Sequence, residues 1–410
     1  MSAVRHDRGS LAAAVAVASS RHAEIRGFEN KSLYESVYGQ GHKGRDVNRH
    51  SYLLPSHSFL GASTRYGDHS IKQTDTAADP RLDALVDWIN SIDAVSGCEP
   101  RPASADASFR RYFRLQKGPE SFIAMDAPPS QEDCRPFVGI AADLISMGLN
   151  APEVLEADLD KGFLLMTDLG TELYLDRLTE RPAMADSLYF DATEALHRMQ
   201  TSGAALQAAL PPYDEKLLRA ELSLFRDWLC GSRMQFVFSN ADEAQWQACC
   251  DALVANALSQ PRVFVHRDYH SRNLMVTKDN NPGVLDFQDA VEGPFTYDLV
   301  SLLKDCYVQW PAEQVRQWAL NFHAGLDAAV RQTIDEPLFI RQFELMGVHR
   351  HLKAAGIFCR LWHRDGKAGY LGDVPRTLEY ILELGPKYAE LGFLVRLIDE
   401  QVLPDWDVSP

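Results

Sequence analysis

Between residues 82 and 92, apolar residues recur every three or four positions, as they do on the buried face of an amphipathic helix. Pro80 precedes them, and proline is favoured in the first turn of a helix. The pattern therefore predicts a helix that begins near Pro80, with its buried face formed by Leu82, Leu85, Val86, Ile89 and Ile92.

Two short runs rich in aromatic and aliphatic residues follow, and each has the length of a β-strand. They cover residues 109–115 (FRRYFRL) and 121–125 (SFIAM), with a turn between them that contains Gly118-Pro119. A helix is expected from Glu132 to Met147. Further runs at residues 154–157 and 163–166 predict a second hairpin. This order of helix, hairpin, helix and hairpin is typical of a small α+β lobe.

Beyond Gly170 the apolar period becomes mainly helical. It is interrupted by three short apolar runs that predict strands, at residues 263–265, 274–276 and 284–287. We therefore expect two lobes in an α+β fold. Residues 81–169 would form a small, β-rich lobe. Residues 170–410 would form a larger, mostly helical lobe.

Residues 1–80 differ from the rest of the chain. From residue 34 to residue 79 the sequence is rich in Ser, Gly and His, without a sustained apolar period of either strand or helix. We expect a loosely ordered extension outside the working domain. A partner-binding arm is the alternative interpretation.

The charge and the cysteines narrow the class of protein. The 410 residues carry a formal net charge of −16, whereas proteins that bind nucleic acid usually present a basic surface, so we expect no nucleic-acid partner. No run approaches the roughly 18 apolar residues that span a bilayer, so we expect no membrane association. The seven cysteines form no C-x-x-C pair, which favours reduced thiols and a cytoplasmic location.

The strongest chemical signal is the segment 264–274 (FVHRDYHSRNL), which contains the H-R-D-x-x-x-x-N pattern of phosphoryl-transfer loops. Asp286 follows Asn273 by thirteen residues, at the end of a short apolar run. Oxygen atoms from Asn273 and Asp286 suit Mg²⁺, which prefers oxygen ligands. Asp268 can accept the proton of an attacking hydroxyl. We therefore predict Asp268 as the catalytic base, Asn273 and Asp286 as metal ligands, and His266 as a structural brace.

Together with residues 293–299 (GPFTYDL), this segment resembles the aminoglycoside phosphotransferase-like branch of the protein-kinase-like fold. The resemblance covers about residues 81–390 and implies a bilobal kinase fold that uses ATP and Mg²⁺. It implies that the small lobe, residues 81–169, binds the nucleotide and that the large lobe, residues 170–410, carries the catalytic and substrate-binding groups. It also implies that Asp298 opens the following helix and is structural. Only eleven residues separate Asp286 from Asp298, which leaves no room for the long activation segment of a protein kinase. A small acceptor molecule is therefore expected.

The resemblance also implies nucleotide-binding positions. Residues 163–170 (FLLMTDLG) are similar to the last small-lobe strand and the hinge, where the backbone of Thr167, Asp168 and Leu169 would read adenine. The phosphate-covering loop would be residues 103–108 (ASADAS), which ends at Ser108. It lacks the usual glycines, but its small residues can still present backbone N–H groups.

One departure from the family pattern concerns the strand lysine that pairs with the α- and β-phosphates. It should stand near Met125 and is absent. Arg110, Arg111 or Arg114 is expected to replace it, since guanidinium binds phosphate bidentately. The acidic partner on the next helix would be Glu132 or Asp133. Because this lysine is missing, a non-catalytic protein that binds nucleotide remains an alternative interpretation.

Three segments resemble those of bacterial kinases that phosphorylate the anomeric hydroxyl of N-acetylmuramate and N-acetylglucosamine in cell-wall recycling: SADASFRRYFRL, AMDAPP and HRDYHSRNLMV. The resemblance implies an amino-sugar acceptor. Muramate carries a lactyl carboxylate, which arginine can bind. The candidate substrate-binding residues are Asp176, Arg272 and Arg360, with Arg350 and Arg364 nearby. A kinase of aminoglycosides or other amine alcohols remains the alternative, because the acidic charge permits a cationic ligand.

Overall fold

The computed structural model describes residues 79–105 and 109–406, except the side chains of residues 104 and 105. The predicted N-terminal extension therefore lies outside the described residues up to residue 78, and so does Ser108. Within the described range the secondary structure begins with helix α1 (Pro80–Asn90). Asp79 caps this helix by accepting a hydrogen bond from the Leu82 N–H at 3.0 Å, so the helix begins where the apolar period predicted it.

The first part of the chain forms one antiparallel sheet of five strands in the order β1-β2-β3-β5-β4. The side chains of Leu85 and Ile89 from α1 pack against Phe113, Leu115 and other buried residues of this sheet. The strands are β1 (Arg101–Ala105), β2 (Arg111–Lys117), β3 (Glu120–Asp126), β4 (Val154–Asp158) and β5 (Phe163–Thr167).

Strand β1 was not predicted from the sequence. Its residues, RPASA, lack the β-branched and aromatic side chains that mark strands, but they pair with β2. Residues 103–105 therefore belong to a strand, not to the expected phosphate loop. Strand β2 begins at Arg111, not at Phe109, and the Phe109 side chain is 55% exposed.

Helix α2 (Cys134–Ser146) follows the sheet strand β3. It begins two residues later than expected because the carboxylate of Asp133 accepts a hydrogen bond from the Arg135 N–H and caps the helix. Glu132 consequently lies just outside the helix, where its side chain forms an ion pair with Arg110.

The rest of the described chain is mostly helical, as predicted. One long helix, α10, has buried side chains on all sides between Phe339 and Leu361 because other helices pack around it. The helices are α3 (Tyr174–Glu180), α4 (Ala185–Ser202), α5 (Glu215–Leu224), α6 (Asn240–Leu258), α7 (Tyr297–Leu303), α8 (Ala312–Gly325), α9 (Ala328–Thr333), α10 (Glu336–Asp365), α11 (Val374–Leu384) and α12 (Gly392–Leu397).

Shorter helical turns connect these helices. The 3-10 turns are Pro182–Met184, Gly203–Ala205, Gln207–Ala209, Ala368–Asp373 and Ala389–Leu391, and the π-helical turns are Phe225–Arg233 and Ile398–Val402.

Helices α5 and α10 approach each other closely at Gly356. A Cβ atom at this position would lie 2.3 Å from the backbone carbonyl carbon of Leu224. Since no side chain fits in that space, glycine permits the contact.

Two small ladders frame the segment that carries the phosphoryl-transfer pattern. Strand β6 (Arg262–Val265) pairs with β9 (Val291–Pro294), and β7 (Leu274–Met275) pairs with β8 (Gly283–Val284). The predicted third strand is shorter than expected because the chain leaves the ladder after Val284.

None of the described helices is long and apolar enough to cross a membrane. All seven cysteines fall within the described residues, and each is a buried free thiol.

Candidate active site

The loop between β6 and β7 is buried along its whole length, from His266 to Asn273. Its backbone is held by Asp298, which lies in the first turn of α7. The Asp298 carboxylate accepts hydrogen bonds from the N–H groups of His266 (2.7 Å) and Arg267 (2.9 Å). These bonds fix the position of Asp268, the residue that follows.

The resemblance implied that Asp298 opens the following helix and is structural, and Asp298 lies in the first turn of α7. Thr296 occupies the N-cap, and the Asp298 carboxylate binds the neighbouring loop. Burial raises the pKa of Asp298 to about 7, although both N–H donors act in the opposite direction.

His266 contacts backbone on both sides of the loop. Its Nε2 atom donates to the Leu285 carbonyl at 3.0 Å, and its Nδ1 atom accepts from the Asp268 N–H at 3.3 Å. Burial lowers the pKa of His266 to about 4, so the ring is neutral at physiological pH. These contacts are those of a brace between the two chain segments that carry Asp268 and Asp286.

Asn273 and Asp286 lie side by side. The Asn273 Nδ2 atom donates to the Asp268 carbonyl at 3.0 Å and to Asp286 Oδ2 at 3.4 Å. The Asn273 Oδ1 atom is buried and has no hydrogen-bond donor among the described residues. An unpaired oxygen beside a carboxylate is the donor set that a hard cation requires, so these two residues fit Mg²⁺.

The backbone at Asp286 is left-handed, with φ of 60°, a conformation that residues with a side chain rarely adopt. Gln288 Nε2 donates to Asp286 Oδ1 at 2.9 Å and helps to orient the carboxylate. The sequence pattern did not identify Gln288, because no spacing rule connects an amide two residues away with a metal ligand.

Arg110 connects the sheet to Asp286, one of the two predicted metal ligands. Its guanidinium lies 3.3 Å from Glu132 Oε2 and 3.6 Å from Asp286 Oδ1. Burial alone would lower the pKa of Arg110, but Tyr112, Asp286 and Glu132 raise it above its usual value, so the side chain stays charged. Of the arginines considered from the sequence, Arg110 is the one that the structure brings to Asp286.

Arg111 was also expected at the nucleotide, but its guanidinium forms ion pairs with Asp79 and Asp126. Its side chain points to the same face of β2 as Phe113, which packs under α1. The structure therefore places Arg111 in contacts between α1 and the sheet, and does not bring it to Asp286. Asp133 is engaged as the cap of α2 and not with Arg110.

The expected hinge follows strand β5. The Thr167 N–H donates to the Glu153 carbonyl at 3.0 Å, and the Asp168 carboxylate accepts from Arg114 Nε at 2.6 Å. Burial raises the pKa of Asp168, but the bonds from Arg114 and the Gly170 N–H outweigh it and lower the pKa overall. Arg114 therefore stabilises the expected hinge by pairing with the Asp168 side chain.

Leu169 lies against β8. A Cβ atom built on Gly283 would stand 3.0 Å from the Leu169 side chain. This contact joins the expected hinge to the strand that precedes Asp286, so that the hinge and the metal-ligand pair share one frame.

The three expected substrate-binding residues lie in different surroundings. The Arg272 guanidinium is buried, 3.7 Å from the centre of the Tyr307 ring. Arg360 is buried on α10, where burial and Arg364 lower its pKa. Asp176 is exposed in the first turn of α3 and forms no hydrogen bond with the described residues. Arg272 thus lies within the loop that carries Asp268, whereas among the described residues neither Asp176 nor Arg360 forms a hydrogen bond or an ion pair with this loop.

Sequence reasoning missed Asp305, which follows α7. Its carboxylate accepts hydrogen bonds from the Ser271 N–H at 3.0 Å and from the Tyr307 N–H at 3.0 Å. It also accepts from the Ser271 hydroxyl. Asp305 therefore holds the second half of the loop as Asp298 holds the first. Its position 34 residues from Ser271 gives no local signal.

Comparison with known proteins supports the prediction that this protein is a kinase. A protein from Pseudomonas aeruginosa named N-acetylmuramate/N-acetylglucosamine kinase is 47% identical over 335 residues, which are 77% of this chain and 96% of that protein. A protein of the same name from Neisseria meningitidis serogroup B is 39% identical, over 78% of this chain and 95% of the relative.

The fold has relatives among solved structures. A choline/ethanolamine kinase family protein from Mesorhizobium loti aligns with a TM-score of 0.54 at 15% identity, over 77% of this chain and 99% of that structure. An ethanolamine kinase from Plasmodium vivax aligns with a TM-score of 0.52 at 10% identity, over 73% of this chain and 87% of that structure. The predicted bilobal α+β kinase fold is therefore confirmed.

Residues 99–336 match the family described as "Phosphotransferase enzyme family". This range contains the catalytic loop, the metal-ligand pair and Arg110. The predicted activity, phosphoryl transfer to a small molecule, is confirmed by the match and by the kinase relatives. The chain belongs to the phosphotransferase enzyme family, as its resemblance to that group predicted.

Proposed function

We propose that this protein transfers the γ-phosphoryl group of ATP to the anomeric hydroxyl of N-acetylmuramate and N-acetylglucosamine. The proposal is carried by relatives of that name that align with 77% of this chain at 47% identity. The aligned part is long enough to include both the sheet and the catalytic loop. We further propose that the enzyme works in the cytoplasm, on sugars recovered from the cell wall, without a nucleic-acid or membrane partner.

Asp268 acts as the base in this reaction. An anomeric hydroxyl is more acidic than an ordinary alcohol, so a carboxylate of ordinary basicity can accept its proton as the phosphoryl group arrives. Asp298 and His266 hold the loop on which Asp268 stands, so the carboxylate does not have to be ordered when substrate binds.

Asn273 and Asp286 hold Mg²⁺ when Mg·ATP is bound. The ion neutralises the charge that develops on the transferred phosphoryl group. No group of three or more His, Cys, Asp or Glu side chains that could hold a metal occurs within the described part of the chain. A site built from one carboxylate and one amide agrees with this, because Mg²⁺ commonly completes its shell with water and the phosphates of the nucleotide.

Arg110 supplies the positive charge that the missing strand lysine would provide. Its guanidinium is already anchored by Glu132 on one side and faces Asp286 on the other. It can therefore bind the α- and β-phosphates without losing much side-chain freedom. The backbone of Thr167, Asp168 and Leu169 reads the adenine edge, and the loop that ends at Ser108 covers the phosphates.

On the acceptor side, Arg272 is the strongest candidate for a sugar contact because it adjoins Asn273 and its planar group is already fixed against Tyr307. Asp176 and Arg360 are retained as further substrate-binding candidates from the sequence. Asp176 would bind sugar hydroxyls. Arg360 would bind the carboxylate of muramate.

A panel of acceptors tests the proposal. The purified protein is incubated with Mg·ATP and, separately, with N-acetylmuramate, N-acetylglucosamine, an aminoglycoside, choline and ethanolamine, and the phosphorylated product is identified by mass spectrometry. We expect anomeric phosphates of the two amino sugars. A product only from the amine alcohols would support the alternative kinase, and nucleotide binding without any product would support the non-catalytic alternative. A reduced sugar, which lacks the anomeric hydroxyl, is the matched negative control.

A further inference from the structure

A cluster of charged side chains lies buried behind the catalytic loop. Arg267 Nη2 donates to Glu221 Oε1 at 2.5 Å, and Lys353 Nζ lies 3.1 Å from the same oxygen. The Tyr213 hydroxyl donates to the other carboxylate oxygen of Glu221, and Lys353 donates to the Tyr297 hydroxyl at 3.0 Å. The three charged side chains are at most 5% exposed. We refer to these five residues as the Glu221 cluster.

The Glu221 cluster joins three separate parts of the chain. Glu221 stands on α5, Lys353 on α10, and Arg267 in the loop, directly before Asp268. Arg267 has a left-handed backbone, with φ of 77°, which is unfavourable for a residue with a side chain. Its N–H is held by Asp298, and its guanidinium by Glu221. Both the backbone and the side chain of Arg267 are therefore held in place.

Glu221 is the anion around which the cluster is organised. Burial by itself would lower the pKa of Arg267 and of Lys353. The negative charge of Glu221 is the largest of the effects that oppose burial, and the pKa of each cation is raised above its usual value. Both cations therefore remain charged in the interior. Buried ions are tolerated when they are paired and hydrogen-bonded, and Glu221 is the carboxylate that these two cations share.

We propose that Glu221 is a positioning residue for phosphoryl transfer: it holds Arg267, and through Arg267 the adjoining Asp268, in the reactive arrangement. The contact between Glu221 and Arg267 lies within the protein, so the loop needs no ligand or modification to be ordered. This inference rests on the proposed role of Asp268 as the base.

Kinetic measurement of Glu221→Gln tests this role. The amide keeps the shape of the side chain but removes the charge that holds Arg267. We expect kcat to fall about 30- to 100-fold, because small misplacements of a reacting group cost about that much. KM values for ATP and for the sugar should stay within about threefold, since Glu221 is not expected to touch either substrate. Glu221→Asp keeps the charge and should recover part of kcat.

Lys353→Met is the matched control. It changes an equally buried residue that contacts the same carboxylate, but it leaves the pair of Glu221 and Arg267 intact. We expect a lower melting temperature with kcat within about threefold of the wild type. All rates are measured at a temperature at which circular dichroism shows the variant folded. If Glu221→Gln does not fold, Glu221→Asp and Tyr213→Phe replace it, and both should lose kcat several-fold at unchanged KM.

Two results would overturn the proposal: folded Glu221 variants with kcat within threefold of wild type, or an equal loss of kcat in Lys353→Met. Asp268→Asn is assayed in parallel to separate the two proposals. If that variant keeps its activity, the assignment of the base fails. If it loses activity while the Glu221 variants keep theirs, only the positioning role fails.

Discussion

Among single residues, Asp268 has the proposed role of base in phosphoryl transfer. Asp268→Asn replaces the carboxylate by an amide, which cannot accept a proton, in a loop whose other contacts are unchanged. We expect kcat to fall by about three orders of magnitude or more, within the range of general-base catalysis combined with substrate orientation. Binding of nucleotide, measured by calorimetry, should persist.

Asp251→Asn, a change to a surface residue paired with Arg219, is the control. A variant at position 268 that retains a tenth of the wild-type rate would remove this residue from the role of base.

Two adjacent arginines provide a matched pair at the same scale. Arg110 faces Asp286, whereas Arg111 binds Asp79 and Asp126. Arg110→Ala should raise the KM for ATP at least tenfold with little change in the KM for the sugar. Arg111→Ala should lower the melting temperature and leave the KM for ATP unchanged.

Arg110→Lys should recover only part of the activity, because an ammonium group lacks the two parallel N–H donors of guanidinium. If Arg110→Ala binds ATP normally, the phosphates are held by the metal and by backbone N–H groups, and Arg110 does not replace the strand lysine.

The packing of α10 can be tested at the scale of elements, because two of its glycines meet different surroundings. A Cβ atom at Gly356 would stand 2.3 Å from the backbone of Leu224, but at Gly347 the nearest atom is the Lys304 Cδ at 3.6 Å. Alanine is favoured over glycine in a helix interior by about 1 kcal/mol. We therefore expect Gly347→Ala to stabilise the protein, while Gly356→Ala destabilises it by about 1–3 kcal/mol. Denaturant unfolding of both variants measures the difference, and equal shifts would contradict the close contact.

The predicted elements match the observed ones wherever apolar periodicity was strong. Helix α1, strands β2 and β3, and helix α2 occur within two residues of the expected bounds. Strand β1 was missed because its residues carry no strand signal of their own, and its pairing with β2 supplies what the local sequence lacks. The late start of α2 follows from the cap that the Asp133 carboxylate provides, whereas the sequence suggested Glu132 and Asp133 only as acidic partners of the arginine.

The domain organisation of the whole molecule remains a prediction, with lobes divided near residue 169 and an extension over residues 1–80. Deleting residues 1–78 tests the second part. The family match begins at residue 99, and helix α1 begins at Pro80 with Asp79 as its cap. We expect the shortened chain to fold and to keep at least half of the wild-type kcat/KM in the acceptor assay. An unfolded or inactive product would show that the extension is an integral part of the domain.

Stability should depend on pH through buried histidines. Burial lowers the pKa of His266 and His270 to about 4 and that of His351 to about 3. An unfolded histidine has a pKa of about 6.5. Between pH 6.5 and pH 4 the unfolded chain therefore binds more protons at these positions than the folded one, so the folded state loses stability as the pH falls. Asp298, with a pKa raised to about 7, acts in the opposite direction, as do Asp143 and Asp373, whose pKa values burial also raises. Burial lowers the pKa of His197 and His349 as well, and these two histidines add to the effect of the first three.

We expect the free energy of unfolding to decrease as the pH is lowered from 6.5 to 4.5. The His351→Gln variant should show a shallower dependence, by up to about 1.4 kcal/mol per pH unit for the one proton removed. Urea unfolding at a series of pH values measures both. A stability that stays constant or rises over this range would show that these histidines are protonated in the folded protein.

The reaction class followed from the sequence alone, since Asp268, Asn273 and Asp286 stand in one short segment whose spacing is set by local chain geometry. The main helices followed from it as well, because an amphipathic period reflects burial directly. Which arginine faces Asp286 depended on the tertiary structure, since Arg110 and Arg111 are adjacent and differ only in the face of the sheet to which they turn. The tertiary structure also brought Asp305 and Glu221 to the loop that carries Asp268, because contacts between residues far apart in the chain leave no periodic or local signal in the sequence.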